Sequence, residues 1–174
     1  LGAVVLAGWL LGVPRLTRLD PDLPAQMPNS ALMFVVCGVA LVAQARRPGS
    51  RVAFLAAAFV ALLAAATLLE HAVDVDLGIN LRIGDDYADV AHPGRPATHT
   101  AAAFLLLACF LLLGPGRSSV GNAVAGLCGA GAATVVGLAV AGYLTGADYL
   151  YGSASEHGMS VHSAVGLVVV LAGG

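Results

Sequence analysis

Polar positions interrupt this chain rarely, and the intervals between them predict its elements. Six runs are almost wholly apolar: residues 1–13, 31–45, 52–69, 99–113, 122–143 and 161–174. A helix needs about 20 mostly apolar residues to cross a bilayer, and runs approaching that length, separated by short polar interruptions, predict a helical bundle and not a barrel of strands. Each backbone group is then satisfied within its own helix, as lipid requires. The fold expected is all-α: a polytopic membrane bundle of about six transmembrane helices forming a single domain over 1–174. The first and last runs are cut by the ends of the sequence, which predicts a piece of a longer protein. The opening run is not read as a signal peptide, because Pro14 and Arg15 follow it with no small-residue cleavage pattern.

The polar interruptions repeat. Ahead of the even-numbered runs stand Pro28-Asn29-Ser30-Ala31, Thr98-His99-Thr100-Ala101 and Val161-His162-Ser163-Ala164. Phe34 and Phe104 follow the first two alanines by three residues, and Leu167 takes that place in the third. The odd-numbered runs end in comparable polar or glycine-containing turns, at 12–14, 70–74 and 142–148. The unit predicted is a helical hairpin in one orientation, three times over, at roughly 1–45, 52–113 and 122–174. Helix capping by Asn, Ser or Thr is the ordinary reading of the whole motif, but capping does not require Asn, His and His in the middle. Three hairpins around a pseudo-threefold axis would bring Asn29, His99 and His162 to equal depth.

Composition agrees with a lipid solvent: 59% of residues are hydrophobic and 10% charged, with a mean hydropathy of +0.88. Charge adds an orientation. Arg46, Arg47, Arg51 and Arg117 occupy the two short loops after the second and fourth runs, with no acid among them. The positive-inside rule makes those loops cytoplasmic and both termini inward. All ten acids fall in the three longer loops, which are then outside. No basic stripe suits nucleic acid. Cys37, Cys109 and Cys128 lie within apolar runs, form no CxxC pair and read as packing residues. The glycines and alanines of the fifth run read as a small-residue face for close helix packing.

The residues with chemistry lie at the outer ends. Glu70 and His71 stand where the third run leaves the apolar region, and a carboxylate there calls for a partner, with Arg82 and Arg95 within reach along the loop. The ordinary reading is a structural ion pair. All five histidines, His71, His92, His99, His157 and His162, lie on the outer side. Imidazoles there permit a transition metal or haem, with His99 and His162 as candidate ligands, although no close ligand spacing selects one. Tyr143, Tyr149 and Tyr151 read as interfacial anchors. No Walker loop, GxSxG, dinucleotide-binding glycine pattern or protease motif is present, so the chain itself reads as non-enzymatic. The candidate ligand-sensing set is Asn29, His99, His162, Glu70, His71 and Arg95. A small transporter and a haem- or metal-binding redox protein are the competing classes; the span interiors carry none of the midplane charge that a transporter uses.

Five strings in order, Leu68-Leu69-Glu70-His71, Asp76-Leu77-Gly78-Ile79-Asn80, His92-Pro93-Gly94-Arg95, Gly142-Tyr143-Leu144-Thr145-Gly146 with Leu150-Tyr151-Gly152, and residues 159–164, carry a resemblance over nearly the whole chain. It resembles the multi-span N-terminal membrane sensory domain of bacterial sensor histidine kinases, found also on some diguanylate cyclases. That family commonly has Pro-Asn-Thr-Ala where this chain reads Thr98-His99-Thr100-Ala101. The resemblance implies a multi-pass domain of the bacterial cytoplasmic membrane, a homodimer, whose last span continues into cytoplasmic PAS, kinase or cyclase modules.

Overall fold

A computed structural model describes residues 1–20, 23–83, 93–114, 118–150 and 158–173. Among them are six α-helices and two 3-10 turns, and no strand. The helices are α1 (Gly2–Leu11), α2 (Pro28–Arg46), α3 (Arg51–Val73), α4 (Thr98–Leu113), α5 (Ser119–Thr145) and α6 (Val161–Gly173). Each covers one of the apolar runs, with two shifts that matter. Helix α2 starts early enough to take in Pro28, Asn29 and Ser30, and α3 continues beyond the apolar run to include Glu70 and His71. Helices α2, α3 and α5 are long and apolar enough to cross a membrane; α1, α4 and α6 are shorter apolar helices.

Consecutive helices pack on each other from α1 through α6, and α2, α4 and α6 also touch one another. The even-numbered helices therefore form an inner triangle with the odd-numbered ones outside it. Repeat-equivalent residues fill its centre. Phe34 of α2 and Phe104 of α4 meet edge to face, with ring centroids 4.7 Å apart at 70°, the arrangement an aromatic quadrupole favours. Leu167 of α6 is fully buried in the same core. Gly166 lies against the Phe34 ring so closely that an added Cβ would stand 2.7 Å from Cζ. On the other side, Gly2 is pressed onto α2, its would-be Cβ only 2.4 Å from the Ala31 carbonyl oxygen.

Polarity is distributed inside out. Asn29, Ser30, Thr67, Glu70, Thr100 and Ser163 are buried, while Leu55, Leu62 and Leu127 are 65 to 72% exposed on the outer faces of α3 and α5. A soluble protein of this size rarely carries contiguous apolar surface on that scale.

The two ends of the bundle differ in construction. At the end carrying Arg46 and Arg47 the connections are tight: Ser50 caps α3 by accepting from the Val52 N–H, and Ser118 caps α5 by accepting from the Gly121 N–H. At the opposite end the three loops are longer, and that is where the polar side chains gather.

Candidate functional site

The odd-numbered helices all finish in one way. Each ends on a residue in the left-handed conformation, Gly12 (φ 63), Asp74 (φ 51) and Gly146 (φ 70). The following amide returns to the carbonyl five residues back: Val13 to Gly8, Val75 to Glu70 and Ala147 to Gly142. This double closure satisfies carbonyls a helix end would otherwise leave unpaired. Glycine meets the positive φ without strain, and aspartate at position 74 tolerates it as a short polar residue.

A side chain three residues before each left-handed position then reaches across to the next helix. Trp9 Nε1 donates to the Gln26 carbonyl (2.8 Å), His71 Nε2 lies 2.9 Å from the Pro96 carbonyl, and the Tyr143 hydroxyl donates to the Met159 carbonyl. Gln26, Pro96 and Met159 each stand two residues ahead of the first residue of α2, α4 or α6. Because a carbonyl only accepts, His71 carries its proton on Nε2. Three chemically different donors thus make one clasp at the end of each hairpin opposite Arg46 and Arg47.

The hairpins differ at the buried position just before the clasp, where Gly8 and Gly142 are matched by Glu70. In the first hairpin the loop lies directly on the glycine, and a Cβ at Gly8 would meet Leu16 Cβ at 2.6 Å. In the second, the loop stands off and a carboxylate fills the space. Glu70 is 0% exposed, and its Oε1 accepts from the Leu77 N–H (2.8 Å) and from Asn80 Nδ2 (3.1 Å). Its Oε2 accepts from Asn80 Nδ2 at 2.9 Å and lies 3.2 Å from Arg95 Nε. Arg95, itself 6% exposed, donates from Nη2 to the Val75 carbonyl at 3.1 Å. The approach of Nε to the carboxylate is ionic, without the geometry of a directed hydrogen bond.

Asn29 joins the same network from α2. Its Oδ1 accepts from the Leu81 N–H (3.0 Å), and its Nδ2 donates to the Ile79 carbonyl (3.1 Å) and to Asn80 Oδ1 (3.3 Å). A single amide side chain therefore pairs with the loop backbone in both directions. Gly94, at φ 82, lets the chain pass beneath Leu81, where a Cβ would lie 2.3 Å from the Leu81 carbonyl oxygen. The start of α2, the end of α3 and the lead into α4 are in this way tied to one ordered turn, 74–81.

Of the residues singled out from the sequence, the structure brings Asn29, Glu70 and Arg95 into this network and sets His71 beside it through Pro96. Glu70 takes Arg95 and not Arg82, which pairs with Asp76 on the surface at 3.0 Å. The Gly78 N–H on the Asp76 carboxylate, helped by Arg82 and Arg95, holds that carboxyl below the ordinary carboxylate range. His99 and His162 are half-buried at the second position of α4 and α6, and neither hydrogen-bonds to the network among the described residues. The His162 Nδ1 atom is buried without a partner. No three His, Cys, Asp or Glu side chains gather into a metal-binding group among the described residues. His92, His157 and Tyr151 lie outside those residues.

Three expectations are corrected. The repeated motif does not cap its helices: α2 and α4 begin after Met27 and Ala97 with no side-chain cap, and the motif lies inside the first turn. Of the three even-numbered helices α6 alone is capped, by Ser160 ahead of the motif, which accepts from the Ser163 N–H. Tyr143 is a clasp and not only an interfacial anchor. The small residues of α5 divide between two faces: Gly129 and Gly131 receive Phe110 and Leu106 of α4, whereas Gly126 and Gly137 face open space.

Two participants escaped the sequence reading. Asn80 belongs to the string Asp76-Leu77-Gly78-Ile79-Asn80, but nothing in that string singles it out as the partner of Glu70 and Asn29. Gln26 is 1% exposed with both amide atoms unpartnered, and nothing in its neighbourhood of the sequence signals burial. Among the described residues the network pairs Glu70 with Arg95 and ties the ends of α2 and α3 and the lead into α4 to one turn. Compared with family models, with curated proteins and with solved structures, the chain matches none of them.

Proposed function

We propose that this chain is the membrane-embedded sensory input domain of a bacterial signal-transduction protein, with a sensor histidine kinase as the first choice of output. In this reading all six helices span the cytoplasmic membrane, both termini face the cytoplasm, and the clasped ends face outward. The observation that carries it is the inverted polarity: apolar side chains cover the bundle's surface, and the buried polar residues concentrate at the end opposite the arginine-rich turns. Charge of that kind inside an apolar bundle is retained where it has a role.

The outer network, together with His99 and His162, is the proposed sensing site. A stimulus that loosens or tightens the tie on α2, α3 and α4 shifts the inner triangle, and α6, which touches α2, α4 and α5, conveys the shift inward. The order of strings from Leu68 to Ala164 supports the same class of protein, and with it a homodimer acting on cytoplasmic modules beyond α6.

Joining the chain through α6 to the kinase core of a bacterial sensor tests this. Output that changes with Glu70→Gln, or with His99→Ala and His162→Ala together, at unchanged membrane level supports the reading. Output indifferent to every outer substitution contradicts it.

A further inference from the structure

Two of the three cysteines meet where α4 packs on α5. All three are free thiols; Cys37 is buried in the core, whereas Cys109 of α4 and Cys128 of α5 are half-buried. The side chains of Cys109 and Cys128 are hydrogen-bond partners. The residues beside them show how closely the two helices run at this level. Gly129, next to Cys128, receives the ring of Phe110, next to Cys109, with a would-be Cβ 3.3 Å from Phe110 Cδ2, and Gly131 takes Leu106 Cδ1 at the same 3.3 Å. Small residues at a helix contact let the backbones approach, and a disulfide needs its Cα atoms only about 4.4–6.8 Å apart.

A lone thiol in apolar surroundings is a slow nucleophile, because its thiolate is disfavoured there. A second thiol already in contact changes the outcome. Once one sulfur is oxidised to a sulfenic acid, its neighbour stands ready to displace water from it, at an effective concentration far above that of any dissolved thiol. The product also suits the site. A disulfide is uncharged, whereas two thiolates on a metal ion would bring charge into an apolar contact.

We infer that Cys109 and Cys128 form a redox-modification site, a thiol pair that hydrogen peroxide converts to a reversible disulfide joining α4 to α5. In the first step one sulfur takes an oxygen from peroxide as the O–O bond breaks, giving S–OH and one water. In the second the other sulfur attacks that sulfenic sulfur; the S–S bond forms, the S–O bond breaks, and the hydroxyl leaves with the second thiol's proton as another water. The two thiols together lose two electrons, and the peroxide is reduced to two waters. The bond ties α4, a helix of the inner triangle, to α5, which packs also on α6, and so restrains movement between these helices. Cys109 lies four residues from the end of α4 at Leu113, a rise of ~6 Å. In the orientation proposed above this is the cytoplasmic half of the membrane, where thiols rest reduced and a disulfide is transient. The site itself does not depend on that orientation or on the sensory reading.

The test treats the whole chain in phosphatidylcholine vesicles with hydrogen peroxide, removes the oxidant, and unfolds the chain in a thiol-alkylating reagent for mass spectrometry. Cleavage after Arg117 puts Cys109 and Cys128 on separate peptides, so a bond between them is seen as a linked pair. The expected result is a single chain lighter by two hydrogens, with Cys109 linked to Cys128 and Cys37 alkylated, and with all three thiols recovered after dithiothreitol. Cys109→Ala and Cys128→Ala, with helicity unchanged, each abolish the link and leave the remaining thiol alkylated, because a lone thiol there has no neighbour to capture its oxidised form. Three alkylated thiols in the unaltered chain, under peroxide that fully oxidises a dithiol peptide in the same vesicles, overturn the inference. A link that involves Cys37, or one that joins two chains in place of two helices, overturns it equally. The unaltered chain decides between these results even where an alanine variant fails to fold.

Discussion

At Glu70 a full charge is buried in a mostly apolar bundle, and its neighbours explain why that is tolerated. Removing one member of a buried ion pair leaves the other charge uncompensated and costs about 3–5 kcal/mol. Arg95→Leu is therefore expected to destabilise the domain by about that amount in unfolding from mixed detergent micelles. Adding Glu70→Gln should recover most of the loss, because the glutamine oxygen still accepts from Leu77 and Asn80 while the orphaned charge disappears. Equal stability of the single and double variants would mean that the pair does not interact. Asp76, at the surface of the same turn, makes a pH-dependent contribution. Its carboxyl titrates below the ordinary range because the Gly78 N–H and Arg82 favour the charged form. The stabilisation is complete above the ordinary carboxylate range and is lost as pH falls through the lowered folded value. Hydrogen exchange of the Gly78 amide should accelerate relative to its neighbours only in that acid window, and Asp76→Asn should remove the effect.

Helix ends are where the sequence was legible and where it was not. All six helices could be read from the apolar runs, because lipid-facing and core-facing residues are both apolar and the polar gaps alone mark the boundaries. The repeated Ser or Thr before Ala31, Ala101 and Ala164 was visible too, but its role was not. Capping is a local rule, whereas Asn29 is satisfied by residues some fifty positions away. The clasps had a weak signal, an aromatic or imidazole ring three residues before Gly12, Asp74 and Gly146, hidden because Trp9, His71 and Tyr143 share no chemistry beyond a donor. Asn80 and the burial of Gln26 depend on loop paths that no periodicity encodes. If the clasps are equivalent devices, Tyr143→Phe costs about 1 kcal/mol, and combined with Trp9→Phe the losses add, since the sites lie in separate hairpins. Helix packing gives a sharper contrast. Gly166→Ala drives a methyl into the Phe34 ring and is expected to cost about 1–3 kcal/mol, while Gly137→Ala, facing open space, should be neutral or slightly stabilising.

Over the whole molecule, the three hairpins make one inner triangle whose two ends are chemically opposite. One end has short turns, serine caps and arginines; the other has long loops, clasps and, among the described residues, a buried ion pair in the second hairpin alone. That asymmetry is what would let an event at the outer end act unequally on α2, α4 and α6, and the proposed sensory role depends on the two ends lying on opposite sides of a bilayer. Single cysteines placed in a chain lacking Cys37, Cys109 and Cys128 measure this directly, using a thiol reagent that does not cross membranes. Leu19→Cys, Asp76→Cys and Tyr149→Cys should all react in intact cells, and Pro48→Cys should react only after the membrane is opened. Reaction of Pro48→Cys in intact cells, or protection of any of the other three, would contradict the account.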